Sequence, residues 1–298
     1  MNKYLKKIKK AREKGIRESL ALAGFHLKTN AYFKSKAFLK SLKIKPSEKK
    51  TILFYPQKPS SRNVIWKLCH LNAFKITSNP NEKFDIAFNW EDATFRKKDK
   101  ILKKLSKNHN VFNIKCKDIS KKKTGKTFKK VFKYPIIVNP KKINGKCVKK
   151  SNLNAQKDGQ MIQCPAKKEK GYVYEVLVNT EIQKGKLVDM RVPIMKDKIP
   201  FVYFRYKSLK DRFKDSKKPK ASIIETKKVF SKQEISQILK FCKKLGLDYG
   251  ELDILRDKKS KKIYIVDVNT TPFGPHRLSR KVTKEALEKL SQAFLTSL

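Results

Sequence analysis

One stretch near the end of the chain restricts the fold more than any other: Gly250-Glu-Leu-Asp-Ile-Leu-Arg-Asp257, then Lys258-Lys-Ser-Lys-Lys262, then Ile263-Tyr-Ile-Val-Asp-Val-Asn-Thr-Thr-Pro272. Two apolar runs flank a short polar segment, the pattern of an antiparallel hairpin. Side chains alternate along a strand, so Asp267 and Asn269, two residues apart, share one face. A turn over residues 257–262 sets Asp253 opposite or nearly opposite Asp267. Three oxygen-bearing side chains then meet among aliphatic neighbours, where a carboxylate is costly unless it is paired or bound to a cation. An all-oxygen set without His or Cys suits a hard cation such as Mg²⁺. The same acids would equally cap the turn or meet nearby lysines, and spacing alone favours neither reading.

The chain has 298 residues, room for two or three small domains, and carries 75 Lys and Arg against 26 Asp and Glu, a net charge of +49. Lysines run along nearly its whole length, which predicts a cationic surface and salt-sensitive attraction to polyanions. A codon bias toward lysine would raise the basic count but would not make acids scarce. Cys69, Cys116, Cys147, Cys164 and Cys242 lack any C-x-x-C spacing and read as reduced thiols. His26, His70, His109 and His276 are scattered. No apolar run reaches the ~20 residues of a membrane span, and the basic start has no apolar core for a signal peptide. The expected location is cytoplasmic, with the inner face of the membrane as a peripheral site.

Residues 1–48 read as a separate basic helical segment. Leu5, Ile8, Ile16 and Leu20 form one stripe, and Ala31 to Leu42 forms a second short helix. Such an arm either docks on its own domain or touches an anionic surface. Residues 49–118 alternate strands and helices, as in a parallel, Rossmann-like unit. Its strands are Thr51–Pro56, Phe74–Thr77, Asp85–Trp90 and Val111–Ile114, and its helices are one capped by Ser60 or Ser61 and one over Lys97–Leu105. No G-x-G-x-x-G or P-loop lysine occurs. Residues 211–220 read as a polar loop or lid. Ser231-Lys-Gln-Glu234 is a capping box, and Gly246 is placed to end its helix. A last helix follows Val282-Thr283.

The pattern around Asp253 and Asp267-Val-Asn269-Thr-Thr-Pro272 resembles the metal-binding end of the ATP-grasp fold. The resemblance implies an α/β (α+β) chain with a pre-ATP-grasp domain over 49–118 and an ATP-grasp nucleotide-binding domain over 119–298. It also implies ATP and Mg²⁺ as cofactors and ligation of a carboxylate to an amine or similar nucleophile through an acyl phosphate. Asp253, Asp267 and Asn269 take the positions of the metal ligands, with Asp267 standing where Glu is usual. Asp118-Ile-Ser-Lys121 resembles the segment that opens the ATP-binding region, and the resemblance implies that Lys121 contacts the phosphate tail from the sheet opposite the metal ligands. Gly145 to Gly159 resembles a strand and loop carrying a phosphate-contacting lysine, Lys150; Asn139-Pro140 aligns there too, but without the lysine. Val173 to Val178 resembles the adenine hinge, with Glu175, Val176 and Leu177 offering backbone groups. Asp189-Met-Arg191 resembles the family's D-x-R strand and places Arg191 near the transferred phosphate. The acceptor is expected to be acidic, a small molecule or polymer, and the resemblance extends to proteins of surface-polymer metabolism. The competing readings are a non-catalytic nucleotide-binding protein of this fold and a basic nucleic-acid-binding protein, though no nucleic-acid motif is present.

Overall fold

Among the residues described by the computed structural model (16–45, 48–209, 212, 221–274 and 278–298), the alternating apolar runs form three sheets. The first is parallel, in the order β2 (Lys75–Thr77), β1 (Thr51–Pro56), β3 (Ile86–Trp90), β4 (Val111–Phe112). It is the parallel α/β unit that the alternation of strands and helices predicts. Helix α1 (Ile16–Ser41) precedes it, α2 (Val64–Leu71) links β1 to β2, and α3 (Lys100–Leu105) lies between β3 and β4.

Local details differ from expectation. Residues 31–42 are not a separate helix: α1 runs unbroken to Ser41, because no proline interrupts it and Gly24 alone costs only about 1 kcal/mol. Leu5 and Ile8 of the expected stripe, and most of the expected lid, lie outside the described residues. Neither serine caps α2. Asn63 holds that position and its side-chain oxygen accepts from Ser60 N–H at 2.9 Å. The fourth strand stops at Phe112 because Asn113 turns into the left-handed region at φ 60°. The last helix, α7 (Arg280–Leu295), starts before Val282, since Ser279 Oγ accepts from Val282 N–H.

The second sheet is antiparallel, ordered β6 (Gln160–Cys164), β5 (Gly145–Ser151), β7 (Tyr172–Val176). The third, also antiparallel, is ordered β11 (Ala221–Ile224), β10 (Val202–Ser208), β9 (Lys186–Met195), β12 (Tyr249–Arg256), β13 (Ile263–Asn269), with β8 (Glu181–Gln183) beside β9. One face of this large sheet is aliphatic. Met190, Val192, Ile194, Leu252, Ile254 and Val268 pack there against α4 (Lys121–Phe132) and α6 (Lys232–Leu245). The capping box of α6 forms as its spacing predicts, and Gly246 ends it at φ 78°. A one-turn helix, α5 (Thr226–Val229), leads into it.

The opposite face of the large sheet is divided. At one end Met195, Phe201, Tyr203 and Tyr249 join a core with Phe54, Phe88 and Trp90 of the parallel sheet and with Leu290 and Phe294 of α7. At the other end the same face carries charge.

Candidate nucleotide and metal site

The charged end is built by strand register. Asp253 lies directly opposite Asp267 across β12 and β13, and Asn269 lies opposite Glu251. On the other side of β12, Arg191 is the direct partner of Asp253, and Tyr203 of β10 is the partner of Arg191. Directly paired residues point to one face, so Tyr203, Arg191, Asp253 and Asp267 form a row across four strands. Gly250 lets β13 come close, for a Cβ there would meet the backbone oxygen of Asn269 at 2.6 Å.

Each acid in the row has a basic partner. Arg191 Nε lies 2.9 Å from Asp253 Oδ1 and 2.8 Å from Glu251 Oε1. Arg205 reaches Asp253 Oδ2 at 3.3 Å, and Lys207 meets Asp189 at 2.6 Å. Burial alone would raise the Asp253 carboxyl, but Arg191 and Arg205 outweigh it and hold that group well below the usual carboxylate range. Glu251 goes the other way. Burial raises its carboxyl, Arg191 offsets only part of that, and the charge on Asp253 adds to it. Arg191 donates its Nε–H toward Asp253, which leaves Glu251 Oε1 without a hydrogen-bond donor although Nε is near.

Two lysines converge from outside this sheet. Lys121 is the first residue of α4, where the Ser120 side chain caps the helix, and its buried ammonium donates to Asp267 and to Asn154. It therefore reaches the site from a helix, not from the opposite sheet as expected. Lys150 does come from the opposite sheet, on β5. Its Nζ sits 2.7 Å from Glu175 Oε2 and 3.0 Å from the Val266 carbonyl, one residue before Asp267. Burial raises the Glu175 carboxyl and Lys150 recovers part of that cost. The Asn154 side chain donates to the Val268 carbonyl at 2.8 Å, tying the β5–β6 loop to β13.

The hinge differs from expectation in two ways. The Val176 N–H is donated to the Ile136 carbonyl at 2.9 Å, so it is not free to read a purine edge. Glu175 acts through its buried side chain on Lys150 rather than through its backbone alone. Leu177 follows directly after β7.

Two residues at the site were not singled out by the motif pattern. Glu251 shares the face of Asp253 two positions away, so strand periodicity alone could have found it. Arg96 had no such signal. It is buried, donates to Thr270, and reaches the Glu91 carbonyl at 3.0 Å.

No family model matches the sequence, and no curated protein matches it. Solved structures do match. PsnB, an ATP-grasp ligase complexed with minimal precursor, Mg and ADP, aligns with a TM-score of 0.53 at 11% identity, over 83% of this chain and 96% of that one. The VanG D-Ala:D-Ser ligase from Enterococcus faecalis aligns with a TM-score of 0.52 at 12% identity, over 84% of this chain and 98% of that one. D-alanine–D-alanine ligase from Bacillus anthracis aligns with a TM-score of 0.51 at 11% identity, over 83% and 95%. The chain has the ATP-grasp fold.

Within the ATP-grasp fold of this chain, the donor set suits a hard cation. Asp253, Asp267 and Asn269 offer only oxygens, all reachable from one sheet face. Among the described residues no three His, Cys, Asp or Glu gather closely enough to bind a metal by themselves. Two carboxylates and an amide would not by themselves fill the coordination shell of such a cation. The Asn269 oxygen also accepts from Thr271 N–H at 2.9 Å, which holds the amide in place and leaves a second lone pair.

Proposed function

We propose that this chain is an ATP- and Mg²⁺-dependent ligase that activates a carboxylate as an acyl phosphate for attack by an amine or other nucleophile. The observation that carries this reading is the row formed by Arg191, Asp253 and Asp267, with Lys121 donating to Asp267 and Lys150 reaching the Val266 carbonyl beside it. Asp253, Asp267 and Asn269 would hold Mg²⁺, which neutralises charge on the phosphate oxygens when bound. The chain's own residues then supply positioning and charge. Lys150, anchored by Glu175, meets the phosphate tail, and Lys121 orients Asp267. Arg191 lies where charge develops on the transferred group. Leu177 and the backbone beside Val176 take the adenine edge.

The cationic surface suits an acidic acceptor, a small molecule or a polymer, and surface-polymer metabolism fits such a substrate. It also suits a cytoplasmic protein that meets an anionic surface through its basic N-terminal segment. We read 1–48, 49–118 and 119–298 as the functional divisions.

Removing one preorganised contact to the reacting phosphates costs about 3–4 kcal/mol in the transition state. Asp267→Ala and Asn269→Ala should therefore slow ADP release by about 10²–10³-fold with circular dichroism unchanged, and Asp267→Ala alone should also melt lower, because it leaves the buried Lys121 ammonium without its carboxylate. Normal turnover in either variant overturns the metal assignment. ADP release that appears only with particular carboxylates and amines distinguishes a ligase from a non-catalytic nucleotide binder of the same fold.

A further inference from the structure

Large apolar side chains left in water concentrate on one helix. On α1, Leu27 is 70% exposed, Phe38 64%, Tyr32 54% and Leu39 54%, and Leu42 just past its end is 68% exposed. At 3.6 residues per turn, Leu27, Ala31, Phe38 and Leu42 fall on one stripe, with Tyr32 and Leu39 on its flank. Phe33 falls on the opposite side. It is buried and meets Trp66 of α2 edge-on, with ring centroids 6.2 Å apart, while Lys40 Nζ donates to Asn72 at 3.1 Å. The helix is thus apolar on two sides. One docks on the protein's own core, and the other faces solvent.

Over residues 27–43 the open side is bordered by base. Lys28, Lys34, Lys36 and Lys43 are all exposed around the stripe, and from Ser19 to Ser47 the sequence contains no Asp or Glu. An exposed apolar stripe of this kind marks an interaction surface. Its lysine border fits a partner that is anionic at its surface and apolar just beneath, which describes a lipid headgroup layer better than a folded protein or a nucleic acid. Among the described residues no helix is long and apolar enough to cross a membrane, so the contact is along the surface.

We propose that this face of α1 seats the protein on an anionic lipid bilayer, with Leu27, Phe38 and Leu42 at the acyl boundary and the bordering lysines among the headgroups. The inference deepens the proposed contact with an anionic surface and does not depend on the ATP chemistry.

Co-sedimentation of the full chain with vesicles tests it. Vesicles of phosphatidylcholine mixed with phosphatidylglycerol should bind the protein, less so as salt rises, and vesicles of phosphatidylcholine alone should bind it weakly. The double variant Phe38→Ser, Leu42→Ser should bind about a hundredfold more weakly, at about tenfold per side chain. The pair Lys34→Gln, Lys36→Gln should weaken binding by about tenfold or more and reduce its salt dependence. These side chains are exposed, so melting and circular dichroism should match the parent chain. Equal binding to both vesicle types, or unchanged binding by the Phe38→Ser, Leu42→Ser variant, would overturn the proposal. So would vesicle binding that is absent while the same variant loses self-association or salt-sensitive RNA binding. ADP release measured on the same preparations reports on the ligase reading alone.

Discussion

Asp253 and Asp267 stand directly opposite each other across two strands, yet each is held by a different base: Asp253 by Arg191 at 2.9 Å and Asp267 by Lys121. Two like charges in adjacent strand positions are unfavourable unless cations lie on both sides. The protein provides those cations itself, and a bound metal would add to them.

Removal of Arg191 tests this balance. Arg191→Gln leaves Asp253 and the buried Glu251 without their shared guanidinium, and breaking a buried pair in this way costs about 3–5 kcal/mol. Urea unfolding should show that loss. Added Mg²⁺ should raise the melting temperature of the variant more than that of the parent chain, because the metal compensates charge that the arginine no longer does. Equal shifts in both proteins would place the metal elsewhere.

Lys150 and Glu175 should behave as a unit. Lys150→Met strands a buried carboxylate and should destabilise by about 3–5 kcal/mol. Combining it with Glu175→Gln should recover part of that. A double-mutant cycle by urea unfolding should return a coupling energy of about 1–3 kcal/mol.

Two glycines should respond oppositely to alanine. At Gly250 the added Cβ would meet the Asn269 backbone oxygen at 2.6 Å, so β13 must shift. Gly250→Ala should cost about 1–3 kcal/mol and also weaken nucleotide binding, since Asn269 moves with the strand. At Gly24, in α1, a Cβ meets nothing within 4 Å. Gly24→Ala should be neutral or stabilising by up to about 1 kcal/mol. Thermal melting of both variants decides this.

Acidification should expose the role of Glu234. Burial would raise its carboxyl, but hydrogen bonds from Arg256 and from Ser231 N–H outweigh that and hold it below its ordinary value. A depressed carboxyl contributes stability above its unfolded pKa of about 4.3, and the contribution is lost as pH falls through the lower folded value. Glu234→Gln should therefore be less stable than the parent chain at neutral pH, and the gap should close as pH drops below about 4. A gap that stays constant with pH would mean that the Glu234 charge contributes nothing.

Strand periodicity made the acidic hairpin legible. Asp253, Asp267 and Asn269 share a face because side-chain direction along a strand is set residue by residue, and the polar run after Asp257 places the turn. The same rule, applied to Gly250-Glu-Leu-Asp253, also exposes Glu251. The capping box of Ser231 and Glu234 was readable for a similar reason, since both halves lie within one turn of helix.

Partner choice was not readable. With 75 Lys and Arg in the chain, any motif that asks for a base finds one, so composition carried no information about which lysine serves. Lys121 meets Asp267 across 146 residues, and Arg96 meets Thr270 across 174. By itself, then, the amino-acid sequence determined which way the side chains of the late hairpin point, because that depends on neighbours one or two positions away. Only the tertiary structure decided which base neutralises which acid, and which side of α1 stays in water, because those outcomes depend on how distant segments pack together.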